Sequence, residues 1–130
     1  GCLRSDLNTK ILAGDEAGAL QLAADWREIF GPENYFIEIH NHGIEAQERC
    51  NPALIRIAEK LDLGVVAAND VHFLERSHHE SHDILLCIGT GSMVMDSRRM
   101  RYSEELYFKT GEELAALFPE IPSALQNTLP

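Results

Sequence analysis

With 130 residues and a mass of 14.5 kDa, the chain has the length of one domain or a piece of one, long enough to bury about two-thirds of its surface. Apolar residues make up 45% and charged residues 25%, which excludes a disordered chain, and the longest apolar runs, Ile84 to Ile88 and Leu63 to Ala68, fall far short of the ~18 residues of a membrane span. Eleven Lys and Arg against 21 Asp and Glu give a net charge of −10, so the chain as a whole repels nucleic-acid phosphate and any contact with DNA is expected to be local or bridged by cations.

Ser5 is placed to cap a short helix carrying Leu7, Ile11 and Leu12 on one face and ending at Gly14, and Asp15 to cap the next. Ala19, Leu22, Ala23, Trp26, Ile29 and Phe30 then recur at helical spacing as a core-facing stripe, stopped by Gly31-Pro32. Tyr35 to Ile39 reads as a strand with Tyr35, Ile37 and Ile39 on one face and Phe36, Glu38 and His40 on the other. After a turn at Asn41 to Gly43, Glu45 to Arg49 are helix formers, but the clearest start is Asn51-Pro52, followed by the stripe Leu54, Ile55, Ala58 and Leu61. Val65 to Ala68 is a short apolar strand of the kind a parallel sheet covers on both sides, and it ends in Asn69-Asp70-Val71-His72.

Ser77 with Glu80 reads as a capping box for a helix through Ile84, Leu85 and Ile88 to Gly89. Gly89 to Tyr102 is loop-like and holds the basic cluster Arg98, Arg99 and Arg101. Leu106 to Phe108 is a strand candidate, Thr110 with Glu113 is a second capping box leading to Leu114, Leu117 and Phe118, and Ser123 starts another helix. The alternation predicts an α/β domain with parallel strands, as an open sheet or part of a barrel.

Asp70 and His72 directly follow a buried strand, and the carboxyl ends of parallel strands are where ligands gather. An oxygen and a nitrogen donor two residues apart suit zinc or manganese; the bland alternative is that Asp70 caps a turn and His72 packs beneath it. Glu38 and His40 share a strand face and line either an interior, with His42 beyond, or a wet edge. His78, His79 and His82 mimic a metal cluster at helical spacing, yet the polar surroundings favour a solvated first turn. Cys2, Cys50 and Cys87 do not complete a disulfide set, which points to a reducing compartment. Cys50 and Cys87 read as small buried hydrophobes, and Cys2 as that or a soft ligand. No leader pattern is visible. Gly89-Thr90-Gly91 meets Val94 where a dinucleotide loop needs a third glycine, and neither a phosphate loop nor a Gly-x-Ser-x-Gly elbow occurs.

Gly1-Cys2-Leu3, Glu38-Ile39 with His42-Gly43, Asn51-Pro52-Ala53-Leu54-Ile55, Ala68-Asn69-Asp70-Val71-His72-Phe73, His82 to Gly91, Tyr107-Phe108-Lys109 and Phe118-Pro119 follow in order along the chain. Together they resemble the polymerase and histidinol phosphatase (PHP) domain of bacterial DNA polymerase III alpha subunits. The resemblance implies that residues 1–130 are an excerpt, the C-terminal half of a distorted (β/α)7 barrel at the start of a long DNA-directed DNA polymerase. It implies a zinc or manganese cluster in which Cys2, Asp70 and His72 are ligands and the others lie upstream, while magnesium serves a polymerase palm outside these residues. Glu38 and His42 match common family residues without an assigned ligand role, and His40 stands where related sequences often carry Gln. The implied activity is a metal-dependent 3′→5′ exonuclease or phosphoesterase; the alternatives are a non-catalytic scaffold for the polymerase and a stand-alone metallophosphatase. DNA and other replisome subunits are the implied partners, with no membrane, in the cytoplasm. The excerpt alone is expected to be inactive and a weak nucleic-acid binder.

Overall fold

The structure is a computed structural model that describes residues 2–129; Gly1 of the opening motif lies outside them. Helix α1 (Asp6–Leu12) starts where Ser5 Oγ accepts the Asn8 amide, and α2 (Glu16–Phe30) where Asp15 accepts that of Gly18, each satisfying an N–H that the first turn leaves open. Gly31, with φ 84°, ends α2 in a conformation that side chains disfavour. The α2 stripe is core only in its first half. Ala19 and Ala23 are sealed, whereas Trp26, Ile29 and Phe30 are exposed, with Trp26 stacked on Phe30 (5.8 Å) and Phe30 on Tyr35 (6.4 Å) at the surface.

Strand β1 (Ile37–Ile39) is shorter than the expected run from Tyr35, because its length is set by its parallel partner β2 (Val65–Ala67), in the register Ile37–Val65, Glu38–Val66 and Ile39–Ala67. Just before it, Phe36 lies so close over Gly64 that a Cβ there would sit 2.7 Å from the ring. Contrary to the two-sided cover expected of β2, Val65 and Val66 are half-buried and Ala67 alone of the strand is sealed.

Between the strands runs α3 (Glu45–Leu61), which begins ahead of Asn51-Pro52 and carries Pro52 inside it. Asn51 is a tie and not a cap: its Nδ2 donates to the His40 carbonyl (2.9 Å) and so fixes α3 to the end of β1. Cys50, Ala53, Leu54, Ile57 and Ala58 form its buried face. The expected box at Ser77 does not form, because Ser77 Oγ donates to Glu75, and a 3-10 turn (Arg76–His78) leads into α4 (His79–Thr90). The Leu106 to Phe108 segment is no full strand; it makes one parallel bridge, Tyr107 to Phe73. Thr110 and Glu113 do form their reciprocal box at the start of α5 (Gly111–Leu117), and α6 (Ser123–Gln126) follows. One apolar cluster unites α1, α2, α3 and both strands with Phe118 and Ala124.

Candidate metal cleft at the strand ends

Asp70 and His72 leave the carboxyl end of β2 as the sequence predicts. Asp70 adopts a left-handed φ of 46°, which turns the chain sharply, and its own carbonyl sits 2.7 Å from His72 Nδ1. A carbonyl can only accept, so Nδ1 carries the proton and Nε2 keeps its lone pair. The Asp70 carboxylate is 3.9 Å from Nδ1, too far for a hydrogen bond. The His72 ring packs against Tyr102 at 4.7 Å and against the edge of His82 at 5.9 Å.

At the end of β1, His42 is buried and saturated. Its amide donates to Gln47 Oε1 (2.9 Å), Gln47 Nε2 donates to Nδ1 (3.0 Å), and Nε2 donates to the Asn69 carbonyl (2.7 Å). Burial holds its pKa below the ordinary histidine value, so the ring is neutral and acts as a strut between the two strand ends. Ser103 Oγ closes the other side by donating to the His42 carbonyl at 2.7 Å. His40 is also buried, with Nε2 at 2.6 Å from Glu38 Oε1; this bond holds the half-exposed carboxylate below its usual pKa range. The interior reading of this strand face therefore holds for His40, while Glu38 stays half wet.

A cleft of about 430 Å³ opens between these ends and the 100–106 segment, and Cys2, Arg4, His40, His42, Asp70 and Tyr102 are among the residues lining it. The fold thus brings Cys2 and Asp70 to one space. His72 is not among the residues lining it. The Cys2 sulfur is exposed and accepts the Arg4 amide at 3.4 Å. Among the described residues, no three His, Cys, Asp or Glu side chains converge closely enough to hold an ion. Sulfur, carboxylate oxygen and imidazole nitrogen are donor types that zinc and manganese accept, but here they do not meet at one point.

The other histidines divide. His78 is exposed, but His79 and His82 pack on Phe73 at 5.9 and 5.3 Å, so the first turn of α4 is solvated at only part of its circumference. His79 Nε2 donates to the Tyr102 carbonyl, and burial holds His82 below the ordinary histidine pKa with its Nδ1 sealed and unpaired. The arginine cluster is a correction as well. The Arg99 side chain is 1% exposed and bidentate to Asp83, which leaves Arg98 and Arg101 as the exposed bases of that loop. Gln47, Asn69, Ser103 and Tyr102 were not singled out from the sequence; Gln47 lies only five residues from His42, while the partners of the other three are distant in the chain and follow no short-range spacing.

No protein-family model matches the chain. It is 38% identical over 129 residues to the DNA polymerase III subunit alpha of Treponema pallidum, covering 98% of this chain and 11% of that protein. The subunit alpha of Mycobacterium leprae is 36% identical over 131 residues, 99% of this chain and 11% of the relative. That of Rickettsia bellii is 40% identical over 119 residues, 92% of this chain and 10% of the relative. The chain therefore spans about a tenth of the length of the curated relatives it matches.

Proposed function

We propose that the chain is a segment of the PHP domain of a DNA polymerase III alpha subunit, a DNA-directed DNA polymerase at work in cytoplasmic DNA replication. In this reading it is the C-terminal half of a distorted (β/α)7 barrel, and its cleft supplies Cys2, Asp70 and His72 to a divalent-metal phosphoesterase site. The observation that carries the metal reading is the tautomer at His72: with Nδ1–H given to the Asp70 carbonyl, Nε2 is left as a donor to a cation, the arrangement that ligand histidines use. Cys2 and Asp70 in one cleft support it, and Arg4 on the same wall suits a phosphodiester oxygen. Zinc or manganese bound there would polarise the ester and lower the pKa of water for 3′→5′ cleavage. Magnesium would serve the polymerase reaction elsewhere in the polypeptide, where DNA and the other replisome subunits engage.

A second reading, a scaffold without metal chemistry, is favoured by one observation: the three proposed ligands do not converge among the described residues. The experiment supplies zinc and manganese separately to the native polypeptide that contains this segment and follows a 3′-labelled single strand. Asp70→Asn is expected to lower cleavage at least about 10-fold with primer extension retained. Equal cleavage by the variant overturns the metal reading. The isolated chain is expected to be inactive in both assays, and cleavage by it that Asp70→Asn abolishes would mean that the site is complete within these residues.

A further inference from the structure

Helix α4 is anchored by one face only. His79 and His82 pack on Phe73, Asp83 is clamped by Arg99, and Cys87 is buried. Ile84, Leu85 and Ile88 lie on the other side of the helix within an arc of about 100°, and Ile88 is 73% exposed. The loop that follows is held in place. Gly91, with a left-handed φ of 65°, turns the chain out of the helix, Asp96 Oδ2 accepts the Met93 amide at 2.7 Å, and the Met93 carbonyl accepts the Asp96 amide at 3.0 Å. Arg99 Nε donates to the Val94 carbonyl (3.2 Å) while Asp83 holds the guanidinium, so this turn is tied to α4. The ties fix Met93 at 74% and Met95 at 91% exposure, with Val94 exposed between them. Single apolar residues scattered over a surface are ordinary, but six within twelve residues on one tied unit mark a contact surface. Arg98 and Arg101, the exposed bases of the same loop, bring positive charge beside it, and Arg101 Nη2 donates to the Val94 carbonyl at 3.5 Å.

We propose that the outer face of α4 and the 91–101 loop are a docking surface for an apolar, acid-bearing segment of the same polypeptide outside residues 1–130. The inference rests on the reading of the chain as part of a DNA polymerase III alpha subunit: the chain spans 11% of two relatives and 10% of a third, which leaves about nine-tenths of such a polypeptide to supply the cover. Aliphatic and thioether side chains give no stacking platform for bases, so the occupant is protein and not a nucleic-acid strand. Arg98 and Arg101 select carboxylates at its edge. Two copies of this chain, each at −10, repel one another, which sets a segment in cis above a self-dimer.

The test is methionine oxidation by peroxide in the native polypeptide that contains this segment, purified alone and read peptide by peptide by mass spectrometry. Its intact mass shows first whether it extends beyond these residues. Met93 and Met95 stand open among the described residues, so their protection reports an occupant and needs no variant. Both are expected to oxidise at least about 10-fold more slowly than in the urea-unfolded polypeptide, with no change over a dilution of about 100-fold. Reversal of the two bases, Arg98→Glu with Arg101→Glu, is expected to speed oxidation of both several-fold. Protection retained in full by that double variant overturns the acidic character of the occupant. Oxidation at the unfolded rate in the native polypeptide overturns the inference and leaves the alpha-subunit reading intact. So does protection that appears only with added DNA, with another replisome subunit or at high protein concentration. An intact mass no larger than that of residues 1–130 overturns both.

Discussion

Every buried apolar residue from Ile11 to Ala67 belongs to one contiguous cluster, closed by Phe118 and Ala124, whereas from Leu74 to Glu105 only Cys87 is buried and α4 turns Ile84, Leu85 and Ile88 outward. The first region is held by apolar burial, which is non-directional and cooperative. The second is held by directional polar ties: Arg99 on Asp83, Arg76 on Glu105, His79 on the Tyr102 carbonyl and Ser103 on the His42 carbonyl. The cleft lies where the two regions meet, with its strand-end floor built on the packed region and Met100, Tyr102 and Leu106 supplied by the polar-tied one. Precision in the donors thus comes from the sheet, while the opposite wall depends on a few bonds.

The largest expected effect breaks the packed region. Leu54→Ala, at 3% exposure, is expected to cost about 2–5 kcal/mol in urea denaturation, against no more than about 0.5 kcal/mol for Leu85→Ala at 63% exposure. Comparable losses would erase the contrast between the regions.

Next comes the strut. His42→Phe leaves the Gln47 amide and the Asn69 carbonyl without their partner, at about 1–3 kcal/mol for each group stranded. The same residue sets a pH dependence. Its folded pKa is depressed, so below about pH 6.5 the unfolded chain takes up a proton that the folded chain resists, and stability present above that pH is lost as the pH falls. The urea midpoint is expected to drop between pH 7.5 and 5.5, and to drop less in His42→Phe, with His82, also depressed, supplying the remainder. An identical pH slope in the variant would remove His42 from the account.

Thr110→Ala, which opens the capping box of α5, is expected to cost about 1 kcal/mol in the same measurement. The smallest global effect belongs to the polar-tied region: Asp83→Asn, which weakens the clamp on Arg99, is expected to speed amide exchange over residues 93–101 with little change in the urea midpoint. A large shift of the midpoint would mean that this loop unfolds with the core.

What could be read in the sequence follows the same divide between near and far. The caps at Ser5, Asp15 and Thr110 are contacts over three residues, so residue type and spacing suffice to place them. Asn51-Pro52 misleads because its local start signal is overridden by a bond to the end of β1 that no spacing announces. For Trp26, Ile29 and Phe30 the periodicity marks a face correctly but does not tell what covers it. Arg99 looks like a free base because Asp83, its partner, sits in a different segment. Asp70 and His72 were legible from the strand that precedes them, whereas the relation of Asp70 to Cys2 needed the resemblance, since a cleft shared across the chain leaves no pattern in it.

The central claim, a cation site on the strand ends of the packed region, is tested most directly by titrating manganese into the 15N-labelled chain and following paramagnetic broadening of the amide signals. The account predicts that residues 40–42 and 69–72 broaden first and that the C-terminal end of α4 and residues 93–96 stay sharp. Uniform broadening, or broadening that begins at the acidic surface away from the cleft, would contradict it.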